Sequence, residues 1–335
     1  MDYLKIQALG PRITDLTGIE LLHRLNLLKA RDHEMPEFDG ANHPNLKGLG
    51  IVNDQLGLVD LTLNPELWYL DIGGENLVDL DVSANTKLRT LYINDGPNIS
   101  ELDLSQHLEI VRLEVDGTGI SSLDLTNNVQ LISFGCFNNV SLTSLIMGNA
   151  PDLAAILCNQ NALELLDILA LISLENLSAN ANNFTEINLS SNPNIRTISL
   201  FENSLITLDI SSNPNIESML LTNNDLESLD LRNGNNEILT LILGFENLDL
   251  YCVDVDDAAA APYGNWLFSN SVVYSEDCSL GVNDNEQLQP IIYPNPVREM
   301  LTIESQEIIQ SVEVYSIRGE LITSERGNGK IDFLK

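Results

Sequence analysis

Eight aspartates share one place in a recurring pattern: Asp39, Asp60, Asp81, Asp103, Asp124, Asp167, Asp209 and Asp230. If the pattern folds as a stack, their carboxylates form a column with neighbours about 4.8 Å apart, the spacing of adjacent strands. Unpaired carboxylates that close repel and raise one another's pKa values. Hydrogen bonds from turn amides together with water would relieve the repulsion, and so would a shared divalent cation. No segment reads D-x-[DN]-x-[DN]-G, so turn amides are the expected partners and no metal site is expected. Asparagines recur at a second phase: Asn139, Asn161, Asn182, Asn203 and Asn224. An inward asparagine can satisfy free backbone groups of its own and the next coil, as buried polar groups require.

Other chemistry is sparse. The four histidines, His23, His33, His43 and His107, all precede Leu108, and none sits in H-E-x-x-H. Neither a G-x-S-x-G elbow nor a phosphate-cradling glycine loop occurs. No catalytic residue and no cofactor are therefore expected. Cys136 and Cys158 hold the same phase in consecutive repeats and are expected buried and reduced, as small apolar groups. Cys252 and Cys278 flank the stretch where the pattern ends, and Asp254, Asp256 and Asp257 there are expected to be solvated.

What must position these residues is the repeat itself, seen most clearly in Ile195 to Asn215, IRTISLFENSLITLDISSNPN. With Ile195 as position 1, apolar residues fall at positions 4, 6, 11, 14 and 16, and asparagines at 9 and 19. The template is LxxLxLxxNxLxxLDLxxNPx. Each L-x-L triplet is a strand signal, because alternate side chains point one way. A coil thus carries two short strands on opposite walls, each closed by an asparagine turn. One coil cannot enclose its own apolar side chains, so coils must stack. Position 1 falls at Leu25, Leu46, Leu67, Leu88, Ile110, Leu131, Leu153, Leu174, Ile195, Ile216 and Ile238, with intervals of 21 or 22 residues. The first coil has His33 at position 9 and Gly40 at 16, so the N-terminal end is expected to be the looser one.

The chain holds 49 acidic and 16 basic residues, a formal net charge of −33. Such a surface repels nucleic acid and anionic lipid, so neither is expected as a partner. From Leu113 to Val297 the only basic residues are Arg196 and Arg232. No uncharged apolar run is long enough for a transmembrane helix. MDYLKIQALG lacks the order of a secretory leader and already reads as repeat, so the chain is expected to be clipped at its start or matured.

The eleven coils resemble leucine-rich repeats, in particular the 21-residue bacterial class called IRREKO, over roughly Leu4 to Val255. The resemblance implies a mainly β, right-handed solenoid of about 11 rungs, with a parallel sheet on its concave wall and no catalytic residues. Cys252 and Cys278 resemble the paired cysteines of a C-terminal cap on secreted members, which implies a disulfide between them. Such a bond fits an oxidising compartment. Val253, Val255, Trp266, Leu267 and Phe268 are expected to cover the last coil.

Beyond the linker the composition changes to YPNPVREMLTI and SVEVYSIRGELI. This tail resembles the type A C-terminal sorting domain of Bacteroidota, a small β-sandwich read by the type IX secretion system. Tyr293, Pro294, Asn295 and Pro296 match its opening motif, and Val312, Val314, Tyr315 and Gly319 its central strand and turn. The family's Gly-x-Tyr strand and basic terminal motif are missing, so the sandwich is expected to be partial. The organisation is therefore an N-terminal partial repeat (1–24), the solenoid (25–249), a cap (250–280), a linker (281–289) and a truncated sorting domain (290–335).

Function follows as an expectation: an exported recognition or adhesion protein of the cell surface, with a protein or polysaccharide ligand and the type IX machinery as partners. The alternative is an accessory module of a larger enzyme whose catalytic domain lies upstream. Positions 3, 5 and 7 of the first strand point away from the core. Most are small or polar. The exceptions are Tyr69, Tyr92, Phe137, Leu157, Phe201 and Leu220, the candidate ligand-binding residues of the concave face.

Overall fold

The computed structural model describes residues 3–7, 14, 21, 24–31, 33–53, 55–280 and four short tail strands. It divides into two compact units, Met1–Cys278 and Ser279–Lys335.

In the first unit every coil contributes one strand to a parallel sheet. Among the described residues that sheet has thirteen strands, from Tyr3–Gln7 to Asn265–Phe268. Its register joins equal positions of successive coils, as in Leu70↔Leu91 and Ile72↔Ile93. These position 4 and 6 side chains have 0% exposure, which contributes about 1.5–3 kcal/mol each relative to solvent. The opposite wall is made of shorter strands in separate groups. Glu37–Asp39 pairs with Leu58–Asp60, and Ser122–Leu125 with Ser144–Met147. Thr207–Asp209, Ser228–Asp230, Cys252–Asp254 and Val273–Ser275 form a four-stranded group.

Between the first strand and its asparagine the chain turns sharply. Position 8 has positive φ in nine successive coils, at Gly74, Asp95, Gly117, Asn138, Gln160, Ala181, Glu202, Asn223 and Glu246. Only two of the nine are glycine, the residue that adopts this conformation without a steric penalty. The strain is held by bonding along the stack: Glu202 N–H donates to Thr222 O at 2.9 Å and Asn223 N–H to Phe245 O at 2.8 Å. The position 9 asparagines act at the same turn, and their partners lie in their own coil and the preceding one. Asn224 Nδ2 donates to Leu200 O at 2.9 Å and Leu221 O at 3.0 Å, while its Oδ1 accepts from Leu205 N–H at 3.0 Å. At position 19, Asn213 Nδ2 donates to Leu189 O and Asn192 O, both at 2.9 Å.

The last coil begins one residue later than its sequence suggests. Leu239 and Ile242 are buried, whereas Ile238, Leu241 and Leu243 are half-buried. Met219 pairs with Ile242, and Asn247 takes up the position 9 bonds to Leu221 O and Gly244 O. A 3-10 turn, Asn236–Ile238, absorbs the extra residues. The earlier register is the more apolar in sequence, with Leu243 rather than Gly244 at position 6; Asn247 at position 9 is the signal for the later one.

The cap is itself a further coil. Asn265–Phe268 extends the large sheet and Val273–Ser275 the opposite group. Val253, Val255 and Trp266 are buried, and the indole N–H donates to Leu239 O at 2.8 Å. Leu267 departs from expectation: it takes an outward position and stays 46% exposed. Cys252 and Cys278 are joined, with Cα atoms 5.9 Å apart. In the second unit, Ile291–Tyr293 pairs antiparallel with Thr302–Glu304, and Val312–Tyr315 with Leu321–Glu325.

Candidate recognition face

The strand pleat sends positions 3, 5 and 7 to the outer face of the thirteen-stranded sheet. Asp71, at position 5 of the coil from Leu67, is only 1% exposed. Its Oδ2 accepts from Arg31 Nε at 3.1 Å, more closely from a second nitrogen of the same guanidinium, and from Tyr69 Oη at 3.0 Å. Asn94 Nδ2 donates to Oδ1 at 3.1 Å. Lys29 Nζ donates to Tyr69 Oη at 3.1 Å and lies 4.3 Å from the ring centroid. A carboxylate this deep requires its cation and its donors together.

Lys29 and Arg31 belong to the coil from Leu25, two coils before Asp71. Lys29 crosses the intervening coil over Gly50 at position 5, Leu27 spreads over Gly48 at position 3, and Arg31 is registered with Val52. A Cβ on Gly50 would stand 3.3 Å from Lys29 Cγ and 3.7 Å from Asp71 Oδ2, and one on Gly48 only 2.5 Å from Leu27 Cδ1. Burial, then the neighbouring Asp71 carboxylate, pushes the Tyr69 hydroxyl far above its ordinary range. Glu114, at position 5 two coils further on, is raised by burial and then by Asp116 and Asp71.

Tyr69 also joins the aromatic row of this face. Its ring centroid is 6.3 Å from that of Tyr92, edge to face, and 5.9 Å from that of Trp68. Such contacts add about 0.5–1.5 kcal/mol beyond burial. Of the other expected ligand-binding residues, Leu157 and Leu220 border one shallow depression of about 450 Å³, with Ser178 and Ser199 between them. Phe137 and Phe201 are half-buried at position 7, three coils apart, or roughly 14 Å along the sheet. The six expected residues thus occupy one face in two groups. Lys29, Arg31, Asp71, Asn94 and Trp68 were not anticipated; their one sequence signal is the pair Gly48 and Gly50 at two outward positions of one strand.

The opposite wall explains the aspartate column. All eight expected aspartates accept from the amide two residues on, from Asp39 with Ala41 N–H at 2.8 Å to Asp230 with Arg232 N–H at 3.0 Å. Asp124 also accepts from the Thr126 hydroxyl at 2.5 Å. The side-chain and then the backbone bond of residue 62, 83 or 126 lower Asp60, Asp81 and Asp124 respectively; for Asp103 the Ser105 backbone bond leads. Near the cap, Asp254 is buried rather than solvated as expected, because it accepts from Cys278 N–H at 2.8 Å, and Asp256 accepts from Gly234 N–H at 3.0 Å. Cys136 and Cys158 are free and buried, and burial pushes the Cys136 thiol up.

The geometry has solved counterparts. The functional domain of InlJ from Listeria monocytogenes, which includes a cysteine ladder, superposes with a TM-score of 0.53 and 22% identity over 77% of this chain and 61% of that one. The LRIM1/APL1C complex gives 0.56 and 16% over 76% and 52%. The Toll–Spatzle complex from Drosophila gives 0.51 and 9% over 85% and 48%. The fold is that of a leucine-rich-repeat solenoid. This chain spans less than two thirds of each of those chains. Residues 291–333 match the family of secretion system C-terminal sorting domains, so the tail marks the chain for type IX secretion or outer-membrane surface export. Tyr293, Val312, Val314 and Tyr315 lie in its strands; Pro294, Asn295, Pro296 and Gly319 lie outside the described residues. No curated protein matches the chain. Among the described residues no helix is long and apolar enough to cross a membrane.

Proposed function

We propose that this is an exported recognition protein that acts by binding rather than catalysis. Its contact surface is the outer face of the thirteen-stranded sheet, and its partner is a protein or glycan. The observation that carries this is the aromatic group of Tyr69 and Tyr92 over the Asp71 network. Large side chains are held there in fixed orientation, partly exposed, on a sheet whose other outward positions are mostly small or polar. Rigid aromatic and arginine groups of this kind dominate binding energy at interfaces, and their preorganisation lowers the entropy lost on association. The fold of recognition proteins and the export tail support the same reading.

The test is a binding screen of the full chain against immobilised proteins and polysaccharides, followed by variants on any hit. Tyr69→Ala with Tyr92→Ala, or Phe137→Ala with Phe201→Ala, is expected to weaken binding by about 1 kcal/mol or more per pair. Asp209→Asn, on the opposite wall, is expected to leave it intact. Silent aromatic pairs together with disruptive changes on the opposite wall would refute the assignment.

A further inference from the structure

Trp68 stands just before the strand Tyr69–Gly73, at the margin of the sheet, and remains 46% exposed. It lines a depression of about 660 Å³ with Lys47, Lys87, Arg89, Arg112 and two glutamates, Glu66 and Glu109. The glutamates pair with two of the cations: Lys87 with Glu66 at 2.5 Å, and Arg89 through its Nε with Glu109 at 3.1 Å, a bond that engages one edge of the guanidinium. Lys47 and Arg112 are exposed and lie in no ion pair within 4 Å among the described residues, although the Lys47 charge also acts on Glu66. Four cations therefore face two carboxylates in a chain whose acidic residues outnumber its basic ones by 49 to 16.

We propose that this depression binds an anionic polysaccharide, with the Trp68 indole as the platform for a sugar ring and Lys47, Arg89 and Arg112 receiving its acid groups. The proposal deepens the reading above and rests on it only in taking the chain to be a binding protein. The electron-rich indole face attracts the weakly positive C–H face of a pyranose as it attracts other positive edges. Arginine presents a planar fork of donors to carboxylate or sulfate. Lys47 and Arg89 hold the same position two coils apart, about 10 Å along the stack, so a polymer with regularly spaced acid groups can meet both.

The wider charge distribution selects a thin, linear ligand. Beyond Leu113 the solenoid surface offers only Arg196 and Arg232 as cations, and an acidic globular partner would press like charge against those coils. A single polysaccharide strand can lie across the cationic margin without doing so.

Retention of the full chain on immobilised polygalacturonate, dextran sulfate and unsubstituted dextran tests this, with poly-glutamate as a peptide polyanion. Binding to at least one anionic glycan is expected, falling steeply with salt, with none to dextran. Preference between the first two identifies carboxylate or sulfate as the acid group. Trp68→Ala and the double variant Lys47→Ser, Arg112→Ser are each expected to weaken binding at least tenfold in a chain that still melts cooperatively, while Arg196→Ser has no effect. The proposal is overturned if neither anionic glycan binds, if Trp68→Ala and Arg196→Ser behave alike, or if poly-glutamate binds equally well. Loss of glycan binding with partner binding at Tyr69 and Tyr92 intact would sink this proposal and leave the proposed function standing.

Discussion

The two asparagine ladders look alike in sequence but are not equally costly to break. Asn213→Ala removes two donations, to Leu189 O and Asn192 O. Each of those carbonyls keeps a backbone partner, Asn192 N–H at 3.0 Å and Ile195 N–H at 3.3 Å. Two net hydrogen bonds at about 1 kcal/mol apiece put its cost near 2 kcal/mol. Asn224→Ala also removes two donations, and its carbonyls likewise keep side-chain amides, from Asn203 at 3.1 Å and Asn247 at 3.0 Å. It additionally strips Leu205 N–H of its acceptor. A buried orphan donor costs about 1–3 kcal/mol more, so Asn224→Ala should cost about 3–5 kcal/mol. Equilibrium urea unfolding of both variants measures the difference, and amide exchange should show lost protection at Leu205 in Asn224→Ala alone. Equal costs, or a larger one for Asn213→Ala, would refute the reasoning.

Three further outcomes are expected. His107 fills a position 19 asparagine slot, its Nε2 donating to Val82 O at 3.0 Å, and burial lowers its pKa below the ordinary 6.5. The unfolded chain therefore binds the proton more readily, and stability falls as pH drops below about 6.5; in thermal melts His107→Asn should lose less between pH 7 and 5 than the parent. Cys252→Ser with Cys278→Ser opens a loop of 26 residues and should cost about 3 kcal/mol, with limited proteolysis starting in the cap. Gly50→Val blocks the reach of Lys29 and Arg31 and leaves Asp71 buried without its cation, costing about 2 kcal/mol or more. Adding Asp71→Asn should recover part of that loss in denaturant titrations.

The coil template was legible because positions 4, 6, 11, 14 and 16 must be apolar to close a core, and nothing else in the chain has that period. The cap pairing was legible through the resemblance of Cys252 and Cys278 to the paired cysteines of secreted repeat caps, and the aspartate turns through their shared position. Position 8 was not legible: Gln160, Ala181 and Glu202 carry no composition signal for a left-handed backbone, which the bonds between coils impose. Nor was the Asp71 network, since an aspartate between two strand residues reads as solvated. Only three-dimensional stacking brings Arg31 across the intervening coil to Asp71, 40 residues along the chain.

Coils of 21, 22 and 23 residues stack in one register, and each asparagine meets the same carbonyls of whichever coil comes before it. Gene duplication or loss of one whole coil therefore leaves the asparagine seams chemically familiar, except where side chains reach across a particular coil as at Asp71. If the outer sheet face is the contact surface proposed above, its length, at about 4.8 Å per coil, follows copy number, whereas its chemistry follows the three outward residues of each copy. Length and face chemistry can then be inherited and altered separately.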